Sequence, residues 1–490
     1  MARMVAYEEL STAERLVWDA FPEGRPVDLR LPGPDGDVPE TAVRASVLKT
    51  LLLGEGPRPP GSVPAVRLSG ARITGPLDLS GAELTHALRL EDCRLDGEFS
   101  LYGAATRTVS LLRCTLAGGI DACMARVEGR LELKGSRLTG ALLLRNARIS
   151  GELHLERAEI TADGGWALDA GGLDMGGGLW ACKGFTAHGG VCLPGATLPG
   201  GLFLSGATLY PHPSGTALRA ENATASNLAL SDGFTAHGTV NLRGAQVSGA
   251  VTFEGAVLEG ADTALDGSRM RAAALDFTPA EPPSGTVDLR DARIEALRDR
   301  PGSWPATVLL QGLVYDSLPP SGGDRREVER RVEWIRREPG YAPQPYEQLA
   351  AWYRKVGHDD DARRVLLFKQ RHRRRSMNPA ARLWSHVLDV TVGFGYRPWL
   401  AGVWLAALTA LGTAVFASAT PTPVQSGQGP RFSALVYSLD LLVPIGNLGQ
   451  RSAWYWTAPA VQWVAYALIA AGWLLTTAAV AGVTRTLSKN

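Results

Sequence analysis

Residues 77–95 read LDLSGAELTHALRLEDCRL. Their apolar side chains fall at Leu77, Leu79, Ala82, Leu84, Leu88, Leu90, Cys93 and Leu95, separated by two, three, two, four, two, three and two positions. A helix would bring apolar residues back every three to four positions, and a single strand every two. Here pairs two apart, each a strand fragment with one buried face, alternate with short breaks. The spacing recurs in Phe99/Leu101, Val109/Leu111, Cys114/Leu116, Leu131/Leu133, Ser136/Leu138, Leu142/Leu144, Ala147/Ile149, Leu153/Leu155 and Ala158/Ile160. The unit is about eleven residues, and two units of about twenty-two residues supply four short sides to one turn. No coil buries its face alone, so coils stacked at the ~4.8 Å strand spacing make the fold. The expectation is a mainly β chain built on a right-handed quadrilateral β-solenoid over residues 65–316. Gly75, Gly97, Gly129, Gly140 and Gly151 stand at its corners, where glycine reaches turn angles cheaply.

Beyond residue 161 the repeat lengthens. GFTAHG occurs at 184–189 and 233–238, and WALDA (166–170), TALRA (216–220) and TALDG (263–267) open units of roughly fifty residues, read as looped-out coils of one solenoid. Stacking about eleven coils gives a rod of roughly 50 Å. A stack has two open ends that need covers. STAE at 11–14 has the form of a capping box, and Thr41–Leu53 reads as a second helix stopped by Gly54, so residues 1–60 are expected to be a helical cap. Past the solenoid, Asp324 suits an N-cap, and the stretches 345–357 and 359–375 pattern as a helical hairpin within 324–378, with Leu349, Trp352 and Tyr353 facing Ala362, Val365, Leu366 and Phe368.

The last quarter changes character. No charge occurs between Arg397 and Arg431, nor from Ser452 to Thr484. Each run holds the ~20 apolar residues that cross a bilayer, with Trp399, Trp454 and Trp456 at their ends. Transmembrane helices are expected at 398–417 and 456–484, after a juxtamembrane segment at 379–397 and joined by an external loop at 418–455. The basic run KQRHRRR, with Lys369, Arg371, Arg373, Arg374 and Arg375, precedes the first span. It would attract anionic lipid headgroups and hold its side, and both termini, in the cytoplasm of a plasma-membrane protein. The five cysteines show no disulfide spacing and no CxxC, and the formal net charge of +1 gives no pull towards nucleic acid.

Chemistry-bearing patterns are sparse. Glu152, His154 and Glu156 share one outward face and could be an acid/base or metal cluster. Arg130 and Lys134 one coil earlier make cross-strand charge pairs the simpler account. His188 and His237 recur beside Phe185 and Phe234, as corner residues more readily than as metal ligands. Cys93 and Cys114 occupy equivalent inward positions and read as buried apolar groups. No Walker, dinucleotide or nucleophile-elbow motif occurs, and no cofactor is expected.

Three resemblances follow from these residues. SGAEL at 80–84 resembles the pentapeptide-repeat family, from which the chain departs by one extra residue in eleven. ALVYSLDLLVPIGNLG at 434–449 is similar to the pore helix and filter of two-span potassium channels, with Ala434, Leu435, Tyr437, Ser438, Ile445 and Gly446 in step and Pro444 where a filter has Thr. That resemblance implies an oligomeric pore and marks Asp440, Pro444, Gly446 and Gly449 as a loop or pore element. The whole order of solenoid, hairpin, GYRPW at 395–399, two spans and YSLDLLVPIGNLGQ resembles actinobacterial proteins labelled membrane-associated oxidoreductases. The leading expectation is a membrane-anchored, cytoplasm-facing scaffold with an unidentified protein partner and room for a homo-oligomer. An oxidoreductase and a pore are the alternatives. Within the loop, Phe432–Leu442 is expected to be a short helix, with Asp440 held by backbone donors of the turn or by Arg451.

Overall fold

The structure, a computed structural model, describes residues 7–30, 41–54, 63–318, 326–374, 378, 399–425, 430–443 and 448–487, the last range with side chains to 477. The chain divides into two units, residues 1–348 and 349–490.

The first unit is a parallel β-solenoid over residues 65–317, of about 12 turns. The alternating pairs of the sequence become strands of two to a few residues. Each is hydrogen-bonded in parallel to its equivalent one coil before and one coil after: Val109 lies between Leu88 and Leu131, and Ile120 between Phe99 and Leu142. Two parallel sheets of twenty strands result. The inward residues stack into continuous columns, and Leu111, Leu133 and Leu155 are fully buried.

The lengthened region is more regular than its motifs imply. Leu142 stacks on Leu168, then Leu168 on Val191, Val191 on Leu218, Leu218 on Val240 and Val240 on Leu265. WALDA, TALRA and TALDG therefore mark every second coil. The long units are pairs of coils, with a few extra residues at one corner of alternate coils. The corner glycines need a second correction. Gly75 does have φ +83°, but Gly97 and Gly129 have no positive φ. They are small because the neighbouring coil touches them: a Cβ on Gly97 would lie 2.6 Å from the Gly75 carbonyl carbon, and one on Gly129 2.7 Å from the Arg107 oxygen. One set of left-handed corners runs instead through Asp92, Arg113, Gly135 and Arg157.

Both ends are covered by the chain itself. At the first, Ser11 and Glu14 form the capping box of α1 (Thr12–Ala20). Helix α2 is shorter than the sequence suggests, Ala45–Leu52, because Ala42–Arg44 pairs as a strand with Arg72–Thr74. Glu14, 2% exposed, accepts from the backbone N–H groups of Ser11 and Arg44 and from the Arg44 guanidinium, so one carboxylate ties the starts of both helices. At the second end, α3 (Glu327–Arg336) is seated by a buried ion pair between Arg331 and Asp299 at 2.7 Å and by Trp334 against Trp304. Asp324 lies outside the described residues. The last coil's open backbone groups meet side chains: the Gly312 N–H donates to Gln344, while Gln344 and Gln348 donate to the carbonyls of Leu313 and Tyr315.

The second unit is helical. It takes up α4 (Gln344–Lys355) from Leu349 and continues through α5 (Asp359–Arg373), α6 (Trp399–Ala417), α7 (Ala434–Leu442), α8 (Gln450–Ala453) and α9 (Pro459–Leu487). Leu349, Trp352, Tyr353, Ala362, Val365 and Leu366 are buried, as is Leu367, while Phe368 is partly exposed.

Candidate functional site

Helices α6 and α9 contain segments long and apolar enough to cross a membrane: Leu400–Ala417, with mean hydropathy 1.9, and Pro459–Thr477, with 1.4. Their outer faces carry large apolar side chains in the open, among them Leu411, Trp463 and Trp473. In water such faces would be strongly unfavourable; in hydrocarbon they are solvated. Thr422–Pro423 after α6 pairs antiparallel with Trp454–Tyr455 before α9, so the two helices run in opposite directions from a shared end. Phe416, Phe432, Tyr437, Trp454 and Trp456 pack together at that end, with Phe416 stacked on Trp456 at 5.1 Å.

Helix α7 packs against both long helices. It begins at Ala434, two residues later than the sequence indicates, and ends at Leu442. Small residues admit it. A Cβ on Gly412 of α6 would lie 2.7 Å from the Ser438 hydroxyl and 3.0 Å from Leu468, and one on Gly472 of α9 would strike the Leu442 carbonyl. Tyr437, Leu441 and Leu442 fill the seam with Phe416, Trp456, Ala465 and Leu468.

Asp440 sits within this packing with no exposed surface. Its Oδ1 accepts from the Leu448 N–H at 2.9 Å, and its Oδ2 from the Arg451 N–H at 2.8 Å. Both donors are backbone groups; the Arg451 side chain is exposed. The carboxylate thus ties the helix to the chain returning from it, and its second donor belongs to the first turn of α8. Gly449, with φ +77°, makes the turn into α8. Gln450 closes the other side, donating to the Arg431 carbonyl at 3.0 Å and accepting from the Ser433 N–H at 3.4 Å. Pro444 and Gly446 lie outside the described residues.

The other candidates fall elsewhere. Lys369, Arg371 and Arg373 occupy the last turns of α5 and Arg374 its C-cap, with Asp359, Asp360 and Asp361 in its first turn. Acids at the start and bases at the end complement the helix dipole, a structural reason for the basic run that the sequence pattern did not bring out. Arg375 lies outside the described residues. In the solenoid, the ring nitrogens of His154 lie 3.0 Å from Glu152 and 3.1 Å from Glu156. Lys134 pairs with Glu156 at 3.4 Å, whereas Arg130 pairs with Glu132 on its own coil at 3.3 Å rather than with Glu152. His188 and His237 do not meet each other: the Tyr210 ring stands between them, 4.5 and 4.9 Å from their centroids. This three-ring stack was hidden because Tyr210 belongs to no repeated motif. Cys93 and Cys114 are buried thiols, and the neighbouring Cys93 sulfur, with burial, pushes the Cys114 thiol up. Among the described residues, no group of three His, Cys, Asp or Glu side chains is placed to hold a metal ion.

No family model matches this chain, and no curated protein or solved structure matches it.

Proposed function

We propose that the protein is a membrane-anchored scaffold: a right-handed, four-sided solenoid of the pentapeptide-repeat kind, held at the cytoplasmic face of the plasma membrane by two spans, with anionic lipid at Lys369–Arg375. The observation that carries the interaction role is a lateral groove of about 980 Å³ crossing successive coils. Thr224, Ser226, Gln246, Ala272 and Ala273 contribute to its lining together with Arg271, Arg293, Glu295 and Asp316. Both ends of the stack are closed by the chain's own helices, so the sides are the surface left for a partner. A mainly apolar lining, with Val247, Ile294 and Val314 beside charges of both signs, suits a protein surface better than a single small anion. The test is affinity purification of the full chain from native membranes, beside an Arg271→Glu, Arg293→Glu variant. A stoichiometric partner lost from the variant supports the reading; equal recovery with both, or no partner with either, defeats it.

A second reading, an oligomeric pore, is favoured by the packing of α7 between the two long helices. Ion flux in liposomes containing the purified protein would support it. The oxidoreductase reading would be carried by a flavin or metal retained in that same preparation.

A further inference from the structure

We propose that the cavity between the last coil and α3 is a binding site for a small oxyanion. Its lining residues all belong to the first unit, so the proposal goes beyond the scaffold reading and does not rest on the membrane.

Two basic stretches build it. RDRPGSW at 298–304 leaves the strand Arg293–Asp299, and RRVEWIRRE at 330–338 belongs to α3 and its C-terminal end. Glu327, Arg330, Trp334 and Arg337 are spaced three, four and three apart, which puts them on one helix face. The facing turn is closed twice: the Ser303 N–H donates to the Arg300 carbonyl, and the Arg300 N–H to the Ser303 hydroxyl. Between turn and helix lies a cavity of about 180 Å³. Drug-sized ligands occupy pockets of roughly 300–1,000 Å³, so this one suits a small ion.

Its charges do not all cancel. Arg300, Arg330, Arg331 and Arg337 line it, against Asp299, Glu327 and Glu333. The Arg331 and Asp299 side chains, both more than nine-tenths buried, neutralise each other at 2.7 Å. Glu327 stands three and four residues before Arg330 and Arg331, the spacing at which opposite charges offset on a helix. Glu333 is exposed. Arg300 and Arg337, by contrast, meet only neutral acceptors among the described residues. Arg300 donates through Nη2 to the carbonyls of Pro279 and Ala280, and Arg337 through Nη1 to those of Trp304 and Pro305. These bonds hold both guanidinium groups in place and leave their charge and their other N–H donors unspent.

An uncharged donor adds to them. The Trp304 and Trp334 rings pack 5.1 Å apart in the wall, and the Trp304 N–H is satisfied by Asp299. Trp334 is 5% exposed, and its buried indole N–H has no acceptor among the described residues. Buried polar groups are nearly always paired. These three uncommitted groups are all donors, and two are cationic. A ligand with anionic oxygens satisfies them together through charge-assisted hydrogen bonds.

The test is calorimetric titration of the purified full chain in detergent with inorganic phosphate and, in parallel, glycerol phosphate, a soluble form of a lipid headgroup. One saturable site per chain supports the proposal. Tighter binding of the ester assigns the anion to a lipid headgroup, and equal or weaker binding assigns it to a free ion. Arg300→Gln should weaken binding about tenfold or more, and Arg300→Lys, which keeps the charge, should restore most of it. Trp334→Phe keeps a ring in place and removes the N–H, and should weaken binding severalfold. Far-UV circular dichroism checks that the solenoid of each variant is folded. No saturable binding at millimolar phosphate overturns the proposal and leaves the cavity to water. Unchanged affinity in both folded Arg300→Gln and Trp334→Phe also overturns it, by placing the anion elsewhere.

Discussion

The solenoid and the helical unit solve the same problem, satisfying a backbone while burying apolar surface, by opposite means. In the solenoid each coil's N–H and C=O groups are met by the coils on either side, so the solution is repeated along the stack. In the helical unit the long helices satisfy themselves, and among the described residues α7 is placed by individual contacts: Gly412 under Ser438, Gly472 under Leu442, the aromatic cluster around Phe416 and Trp456, and Asp440. The two regions share one device. Buried carboxylates stand where regularity stops. Glu14 receives the free N–H groups at two helix starts, Asp299 receives Arg331 and the Trp304 indole N–H at the last coil, and Asp440 receives the chain returning from α7. Interruptions of this kind need a charge to meet their free backbone groups; buried carboxylates also occur on regular coils, at Asp266 and Asp288, where Arg243 and Arg290 pair with them.

That contrast is broken most severely by charging the periodic part. Leu133→Asp places a carboxylate in a column with no polar partner. Its destabilisation, well above about 5 kcal/mol, is comparable to a domain's whole stability. Far-UV circular dichroism should show the β signal lost; an unchanged melting temperature would mean that Leu133 does not face inward. The converse removes the charge from the interruption. Asp440→Leu strips the acceptors from two backbone N–H groups, a loss of about 2–5 kcal/mol. In detergent the helical unit should melt earlier or elute as a different species, while the solenoid's β signal keeps its own transition. Identical size and melting would reduce the loop to a simple connector.

How far each region was legible follows from the same contrast. The solenoid could be read from Leu77 to Ile160 because inward positions recur in sequence at the interval at which they stack in space. Its irregularities were less open. The inserts before WALDA and TALRA looked like a new period, since pairing of alternate coils leaves no trace in the apolar pattern. Gly97 and Gly129 were assigned to corners because a glycine demanded by a neighbouring backbone is indistinguishable in sequence from one demanded by φ. In the helical unit the two long apolar helices were plain from composition. Asp440 stood out as a charge in an apolar run, and its dependence on main-chain donors followed from the turn expected after α7. Gly412 and Gly472 went unnoticed, because one glycine in a span carries no period and its meaning lies in a helix reached through the intervening loop.

Those glycines allow a finer comparison within one solvent. Gly472→Ala forces Leu442 and α9 apart and should destabilise the unit by about 1–3 kcal/mol. Gly402→Ala, on α6 with nothing within 4 Å, should be neutral or gain up to about 1 kcal/mol from helix propensity. Thermal melting of the two variants in the same detergent checks this, and equal shifts would mean that α7 does not lie against Gly472.

The smallest expected effect compares the two ends of the solenoid. Burial pushes the Glu14 carboxyl up, but the Arg44 guanidinium with the N–H groups of Ser11 and Arg44 outweighs it and holds the group below its usual range. Burial pushes Glu338 up, and the backbone near Leu310 and Gln311 does not restore it. The signs therefore oppose. A carboxyl lowered by folding contributes stability that is complete above its unfolded value, near 4.3, and is lost as pH falls through the folded value. A carboxyl raised by folding carries a penalty that is complete above its folded value and relieved as pH falls towards the unfolded one. Through these two carboxyls alone, acidification should loosen the first end and relieve the last, until protonation of Asp299 releases Arg331 there. Hydrogen exchange followed from neutral pH downwards, corrected for the intrinsic rate, should show protection falling first in α1 and the start of α2, while α3 and the last coil hold or gain. Glu14→Gln should lower protection at the first end at neutral pH and flatten its acid response. Glu338→Gln should leave the first end untouched and remove the relief at the last. Parallel loss at both ends in the wild type that persists in Glu338→Gln would mean that the Glu338 relief is outweighed at the last end by loss of the Asp299–Arg331 pair.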